Sequence, residues 1–275
     1  MADIKAADVK KLRDLTNAGM MDCKNALKES DGDFDTAIDI LRKKGLKTAA
    51  KRADRDAKEG VVLGAQSADG KKAYIVCLNC ETDFVAKGEG FVNLTKEILK
   101  AAIDNDAADI DALKALPMGK GTINDEIINQ NGVIGEKVEL GYYIKIQGED
   151  TVVYNHLGNK LTAIAAFNKA IDKTVEKNVA MQIAAMNPLA LDKDDIDQDT
   201  INREIEIGKE QAINEGKPAD MAEKIAMGRL NKFYKENTLL NQEFEQNNKL
   251  TIKQYIQESD KQATVTCFKR FGLSN

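Results

Sequence analysis

The feature that most constrains the fold of this chain is an order of strand, turn, strand and helix that occurs twice. In the first copy, strand-like apolar runs at residues 60–64 and 73–78 flank a turn at 68–70, and an amphipathic helix follows at 91–103. The second copy has strands at 137–147, 151–156 and 161–167 and a helix at 175–186. This degenerate duplication predicts two subdomains of sheet plus helix, and therefore an α+β fold.

The first 46 residues are predicted to form three short helices. Val9 and Leu12 belong to an apolar stripe at helical spacing, and Asn17-Ala18-Gly19 is expected to end the first helix in a left-handed conformation. Gly45 is expected to end the third helix. A bundle this small buries little surface, so we predict an attached module, joined to the rest by a linker at residues 47–59.

A helical hairpin is predicted near the C-terminal end. Helical runs at residues 200–215 and 219–235 are joined by Gly216-Lys217-Pro218, and their small and apolar residues recur every seven positions. This pattern predicts an antiparallel pair that projects from the body. A final strand at 263–268 is expected to rejoin the second sheet.

Composition excludes several classes of protein. The chain has 275 residues, a net charge of −5 and no tryptophan, so it lacks the basic, aromatic surface on which nucleic acid would bind directly. No apolar run approaches the roughly 20 residues that a membrane-spanning helix needs. Its four cysteines are too few for a disulfide framework, which favours a reducing, cytoplasmic location.

Candidate reactive groups are few. Cys77 and Cys80 form a CxxC pair, either reactive or structural; the strand pattern around Cys77 favours structural thiols. His156 is the only histidine, either a site residue or an ordinary loop residue. The aspartates between residues 192 and 199 lack the pattern of a calcium loop and favour a solvated helix start. We expect no covalent catalysis, no cofactor and no metal.

An acidic and an aromatic residue stand side by side where the first subdomain's second strand is predicted to give way to a loop. Asp83 and Phe84 follow the strand at 73–78, and Phe84 either fills the local core or enters a partner. Met20 and Met21 could likewise be buried in the core or exposed for contact with a partner. Neighbours on a helix are about 100° apart, so one methionine is expected to be exposed and available for contact.

Two motifs resemble the signatures of the elongation factor Ts family. Residues 15–27 (LTNAGMMDCKNAL) resemble its N-terminal signature, and residues 79–87 (NCETDFVAK) resemble its second. Segments of the predicted hairpin, including Gly216-Lys217-Pro218, are also similar. The resemblance extends from about residue 3 to 271 in the family's order.

This resemblance implies a guanine nucleotide exchange factor for elongation factor Tu, the GTPase that carries aminoacyl-tRNA. It implies a ubiquitin-associated-like module (1–46), a linker (47–59), a core N-subdomain (60–135), a core C-subdomain (136–187 and 236–275) and an inserted coiled-coil hairpin (188–235). The Asp83-Phe84 pair would enter between helices of the GTPase and disturb its Mg²⁺ site. The residues matching contact positions are Thr82, Asp83, Phe84 and Val85, with Val9, Met20, Met21, Ile134, Gly135 and His156 as secondary contacts.

Two other hypotheses remain at this point. The N-terminal module could act as an adaptor for ubiquitin-like or peptide partners, in which case Phe84 would be irrelevant. The chain could instead be an enzyme that uses Cys77 and Cys80.

The hairpin could form a homodimer, contact the GTPase or do neither.

Overall fold

The structure, a computed structural model, describes residues 4–16 and 18–273. The chain divides into two compact units. The first contains the chain up to Leu63, Ile75–Ile144 and the residues from Gly272 onward; the second contains Gly64–Tyr74 and Lys145–Phe271. Both units combine helices with strands, which confirms the predicted α+β class.

The helices and strands follow the predicted order. In the described residues, the helices are α1 (Ala6–Thr16), α2 (Met20–Glu29), α3 (Phe34–Lys51), α4 (Asp83–Ala86), α5 (Glu89–Asp104), α6 (Ile110–Ala115), α7 (Ile123–Ile134), α8 (Lys173–Met186), α9 (Gln198–Asn214), α10 (Ala219–Asn237) and α11 (Ile252–Ser259). The strands are β1 (Glu59–Gln66), β2 (Lys72–Cys80), β3 (Pro117–Met118), β4 (Gly121–Thr122), β5 (Glu139–Gln147), β6 (Asp150–Asn155), β7 (Leu161–Phe167), β8 (Glu243–Phe244), β9 (Asn247–Thr251) and β10 (Val265–Gly272).

Three short helices form the N-terminal bundle, as the sequence predicts. The carboxylate of Asp33 caps α3 by accepting a hydrogen bond from the Thr36 N–H at 2.8 Å. The left-handed helix end was predicted at Asn17-Ala18-Gly19, and Asn17 lies outside the described residues. Gly19 itself has φ −58° and is not left-handed. The buried apolar cluster of the bundle comprises Val9, Leu12, Ala18, Cys23, Ala26, Leu27, Ala37 and Leu41.

The predicted end of the third helix at Gly45 is also wrong, because α3 continues to Lys51 and so includes the first part of the predicted linker. Gly45 instead marks a close crossing of α3 and α7. A Cβ added at Gly45 would lie 2.6 Å from the carbonyl oxygen of Ile128, and one at Gly132 would lie 2.9 Å from the Gly45 Cα. The two glycines therefore let the helices approach backbone to backbone.

The first sheet has the strand order β1-β2-β5. The duplication predicted that β5 would pair within the second copy, and this is wrong, since β5 lies beside β2. A Cβ at Gly141 on β5 would lie 2.2 Å from the Asn79 Oδ1, so the glycine leaves room for the Asn79 side chain. The central strand β2 is buried from Ala73 to Cys80, as expected of a strand covered on both faces.

The second unit contains a sheet of order β10-β7-β6, so the final strand rejoins the second sheet as predicted. β6 and β7 are antiparallel, with Asp150 opposite Phe167. α8 contacts both strands, and the short β8–β9 pair was not predicted. The apolar cluster that joins these elements includes Phe167, Val179, Ile183, Leu239, Phe244, Ile252, Ile256 and Val265.

Helices α9 and α10 form the predicted antiparallel hairpin. Their contact uses small residues: a Cβ at Gly208 would lie 3.1 Å from the Ala226 Cα. Gly216 turns the chain with φ +77°, which a side chain would resist. On the solvent side, Arg229 of α10 forms an ion pair with Glu215 at 2.7 Å.

Candidate partner-binding surface

The tip of the first unit, residues Thr82–Lys87, follows directly from β2. Thr82 is extended (φ −124°, ψ 151°) and directly precedes α4, which makes a single helical turn. The Lys87 N–H donates to the Asp83 carbonyl at 3.0 Å and closes this turn. The tip is therefore a short helix with a defined backbone rather than the loop that the sequence predicted.

The base of the tip is held by a carboxylate from the segment after α7. One oxygen of Glu136 accepts hydrogen bonds from the Glu81 and Thr82 N–H groups at 3.2 and 3.1 Å. The other accepts from the Thr82 hydroxyl at 2.8 Å. Three bonds to one carboxylate fix the direction in which α4 leaves the strand.

Glu81 adds a second layer to this anchor. Its carboxylate accepts a hydrogen bond from the Lys137 N–H at 2.6 Å and forms an ion pair with Arg52 at 2.7 Å. The bond from Lys137, together with the nearby Arg52, lowers the pKa of Glu81. The carboxylate therefore stays ionised at neutral pH and ties the end of β2 to the end of α3.

Phe84 is the exposed residue of the tip. Its side chain is 85% exposed, whereas Ala86 is buried and Val85 is half-buried. The alternative that Phe84 fills the local core is therefore wrong. Beside it, the Lys87 ammonium lies 2.6 Å from the Asp83 carboxylate, and this bond raises the pKa of Lys87.

A cleft of about 620 Å³ lies next to the tip, and Val85 forms part of its wall. Phe91 and Ile134 contribute apolar surface to the same cleft. Glu126 also lines it and accepts a hydrogen bond from the Gln130 side chain at 2.7 Å. Burial raises the pKa of Glu126.

The secondary contact candidates of the first unit differ in exposure. Met20 and Met21 are 51% and 65% exposed, so the expectation of a single exposed methionine is wrong. Val9 is buried within the N-terminal cluster and is not exposed for contact. Ile134 ends α7, and Gly135 follows it with φ +77° in the left-handed conformation.

His156 lies in the second unit, in the loop between β6 and β7. Its Nδ1 is 2.9 Å from the Tyr154 hydroxyl, and the two ring centroids are 5.9 Å apart. The histidine is exposed, so its ring is presented to solvent by the tyrosine beside it.

The remaining candidates have structural roles. Burial raises the pKa of both the Cys77 and Cys80 thiols to about 12, and both cysteines are free. Such thiols are not nucleophiles at neutral pH. Asp192 and Asp197 accept hydrogen bonds from backbone N–H groups at helix starts, as the solvated interpretation predicts.

Sequence reasoning missed Glu136, the residue that anchors the tip. It is separated from Thr82 by 54 positions, so no local pattern could pair the two residues.

Comparison with known proteins decides the family. A family model described as Elongation factor TS matches residues 81–275. The chain belongs to the elongation factor Ts family. Proteins named elongation factor Ts from Porphyromonas gingivalis and Cytophaga hutchinsonii are 52% and 50% identical to it, over 97% and 100% of both sequences. One from Flavobacterium psychrophilum is 46% identical over 99% of this chain and 100% of the relative.

Membership of the elongation factor Ts family confirms the resemblance carried by the two motifs. It makes the chain a translation elongation factor. In the part of the chain that the structure describes, no helix is long and apolar enough to cross a membrane.

Proposed function

We propose that this chain is a guanine nucleotide exchange factor for elongation factor Tu. It binds the GDP-bound GTPase, promotes release of GDP and allows GTP to reload. Asp83 and Phe84 enter the GTPase and disturb its Mg²⁺ and phosphate site, with Thr82 and Val85 flanking them. Val9, Met20, Met21, Ile134, Gly135 and His156 contribute at secondary contacts.

The observation that carries this proposal is the exposure of Phe84 on an anchored helix. A phenylalanine that is 85% exposed gives nothing to the stability of its own chain. The anchor at Glu136 holds α4 in place before any partner arrives. A preorganised aromatic side chain loses little conformational entropy on binding, which suits it to insertion between elements of another protein.

Free energies limit what Phe84 does alone. Nanomolar nucleotide binding corresponds to about −12 kcal/mol. Burial of one phenylalanine contributes only ~2–3 kcal/mol. Phe84 therefore shifts one element of the GTPase and weakens the hold on Mg²⁺, while the wider interface provides most of the binding energy.

Linkage explains how such a protein acts repeatedly without covalent catalysis. If the exchange factor weakens the binding of nucleotide to the GTPase by some factor, then nucleotide must weaken the binding of the exchange factor by the same factor. Binding of GTP therefore ends each cycle. The proposal involves no cofactor, metal or direct nucleic acid contact of this chain, and it includes a cytoplasmic location.

The domain division given by the resemblance remains part of the proposal. The ubiquitin-associated-like module (1–46) and both core subdomains would contribute contacts. For the inserted hairpin (188–235), homodimerisation stays a prediction that sedimentation velocity at micromolar concentration would check.

Release of labelled GDP from elongation factor Tu tests the proposal. The intact chain should accelerate release strongly, and Phe84→Ala should reduce the accelerated rate by roughly tenfold or more, as loss of ~2 kcal/mol implies. Leu189→Ala is the matched control, since Leu189 is another apolar side chain that is 62% exposed. Absence of acceleration by the intact chain would reject the function. Equal acceleration by the Phe84→Ala variant would reject the role of Phe84.

A further inference from the structure

Helix α7 contacts both parts of the first unit that the proposed function brings to the GTPase. The segment that follows the helix supplies Glu136, which holds the base of the tip. Along its length, α7 packs against α3 of the N-terminal bundle, and the same bundle carries the exposed side chains of Met20 and Met21. One helix therefore relates the position of Phe84 to the positions of two exposed methionines.

The contact between α7 and α3 is a contact of backbones. A Cβ at Gly132 would lie 2.9 Å from the Gly45 Cα and 3.1 Å from the Gly45 nitrogen. Packing at this density transmits a displacement instead of absorbing it, so the two helices move together. Helix α3 runs from Phe34 to Lys51, so continuous helix joins the N-terminal bundle to this contact.

Further contacts between the N-terminal bundle and α7 surround the glycines. The Asn129 side chain donates a hydrogen bond to the Thr16 carbonyl at 3.2 Å, which ties the end of α1 to α7. Arg42 of α3 forms an ion pair with Asp125 in the first turn of α7. Val133 packs against the apolar cluster of the bundle. These residues extend over about two turns of α7, so the bundle cannot pivot about a single point.

A buried side chain fixes α7 to the first sheet as well. Asn131 is 2% exposed, and its side chain donates to the Val138 carbonyl at 3.1 Å and accepts from the Val138 N–H at 3.0 Å. The same amide donates to the Ile127 carbonyl at 2.8 Å. Val138 directly precedes β5, so α7 has a fixed position relative to the sheet. A change at the α3 contact should therefore displace the N-terminal bundle and leave the tip in place.

We propose that α7 is a strut that holds the N-terminal bundle and the tip at a fixed separation, with Gly132 and Asn129 as its positioning residues. This inference rests on the proposed function, which supplies the GTPase as partner. Because the separation is fixed, binding of Met20 and Met21 places Phe84 at the GTPase with little further loss of conformational freedom. The strut thus raises affinity, whereas release of nucleotide from the bound complex depends on the tip.

Amide nitrogen relaxation, measured by NMR on the intact chain alone, tests the strut directly. Amides of α1–α3 should report the same rotational correlation time as amides of the first sheet, because the strut joins them into one body. Faster tumbling of the N-terminal bundle would overturn the inference, since a bundle that moves by itself has no fixed distance from the tip. The measurement needs neither a variant nor the GTPase.

Gly132→Leu tests the consequence for binding. The added side chain should push α3 away from α7, so calorimetry should show that the affinity for elongation factor Tu·GDP falls about tenfold. Accelerated GDP release at saturating concentration should stay within about threefold of the intact chain, because the tip remains anchored. Gly228→Leu is the matched control on α10, where a Cβ meets nothing within 4 Å, and it should bind as the intact chain does.

A double-mutant cycle with Met21→Ala separates positioning from a merely structural role. In the intact chain, Met21→Ala should weaken binding about tenfold, whereas in the Gly132→Leu background it should add less than about twofold. Equal penalties in both backgrounds would overturn the inference. Met21→Ala that binds as the intact chain does would overturn it too, since the strut would then hold no second contact.

Asn129→Ala provides the same cycle without added bulk if Gly132→Leu fails to fold. It removes the bond to Thr16, and it should reduce both the affinity and the penalty of Met21→Ala. A lower maximal rate of GDP release at unchanged affinity, in either strut variant, would show that α7 acts only on the tip and would contradict the strut. An intact chain that binds without accelerating release would reject exchange activity, while relaxation and the affinity cycle would still judge the strut.

Discussion

Phe84 stays in solvent because the residues after it on α4 are the ones that face the protein. Ala86 is buried, and residues two apart on a helix point about 200° from each other. Glu136 then fixes where the helix starts. Phe84 is therefore exposed because Ala86 is buried and Thr82 is held by Glu136.

The anchor can be removed with little change of shape by Glu136→Gln. A glutamine side chain has one acceptor oxygen where the carboxylate has two. It therefore cannot accept hydrogen bonds from the Thr82 hydroxyl and from the N–H groups of Glu81 and Thr82 at the same time. Loss of these bonds should lower the free energy of unfolding by ~1–2 kcal/mol and slow accelerated GDP release several-fold. Urea unfolding and GDP release provide the two measurements. The control is Glu149→Gln, at an exposed ion pair with Lys71, and equal behaviour of both variants would contradict the anchor.

The thiols of Cys77 and Cys80 should be inert in the native chain. Burial raises the pKa of each to about 12, so at pH 8 the thiolate is about one in ten thousand of each population. Iodoacetamide should label the half-buried Cys267 first, as followed by mass spectrometry. Labelling at Cys77 or Cys80 with parallel loss of exchange would favour the enzyme hypothesis instead.

Glu126 should make stability depend on pH. Burial raises its pKa from the ordinary 4.5, so the folded chain binds this proton more tightly than the unfolded chain does. The contribution of the protonated Glu126 carboxyl to the free energy of unfolding is complete below pH 4.5. It is lost as the pH rises through the pKa of the folded state. Glu126→Gln keeps an acceptor for Gln130 and should raise Tm at pH 7 but not at pH 4. A lower Tm of the variant at pH 7 would show that the carboxylate is stabilising.

At the scale of elements, α3 and α7 pack closely because the residues at their contact, Gly45 and Gly132, are glycines without side chains. Gly45 looked like a helix end in the sequence, because a glycine near the end of an apolar stripe usually marks one. The glycine is kept inside the helix despite a cost of ~1 kcal/mol because α7 approaches at that point. Its role depends on a residue more than 80 positions away, Ile128, so no local pattern could reveal it.

Gly45→Ala tests this contact. The new methyl group would lie 2.6 Å from the Ile128 carbonyl oxygen, and relief of that clash should lower the free energy of unfolding by ~1–3 kcal/mol. Gly228→Ala is the control on α10, where a Cβ meets nothing within 4 Å. There the better helix propensity should leave stability unchanged or raise it by up to ~1 kcal/mol. Equal stabilisation by both changes in urea unfolding would contradict a close crossing.

At the scale of the whole molecule, the sequence predicted the class of the fold and the order of its elements. Periodicity and turn residues located the three N-terminal helices and the α9–α10 hairpin, since these depend on residues a few positions apart. The partner of β5 was predicted wrongly, because strand pairing joins segments that are far apart in the chain, and no local periodicity encodes which segments pair. The candidate site divides in the same way: a motif marked Phe84, whereas only a contact across 54 positions identified Glu136.

The central claim is that the tip acts through the Mg²⁺ site of the GTPase. It is tested most directly by the rate of GDP release from elongation factor Tu, at saturating intact chain or Phe84→Ala, in millimolar Mg²⁺ and in excess EDTA. The account predicts a difference of roughly tenfold or more between the two chains with Mg²⁺ present, because loss of ~2 kcal/mol has that effect on a rate. It predicts that the difference largely disappears in EDTA, where no ion remains to be disturbed. A difference of the same size in both conditions would contradict the claim.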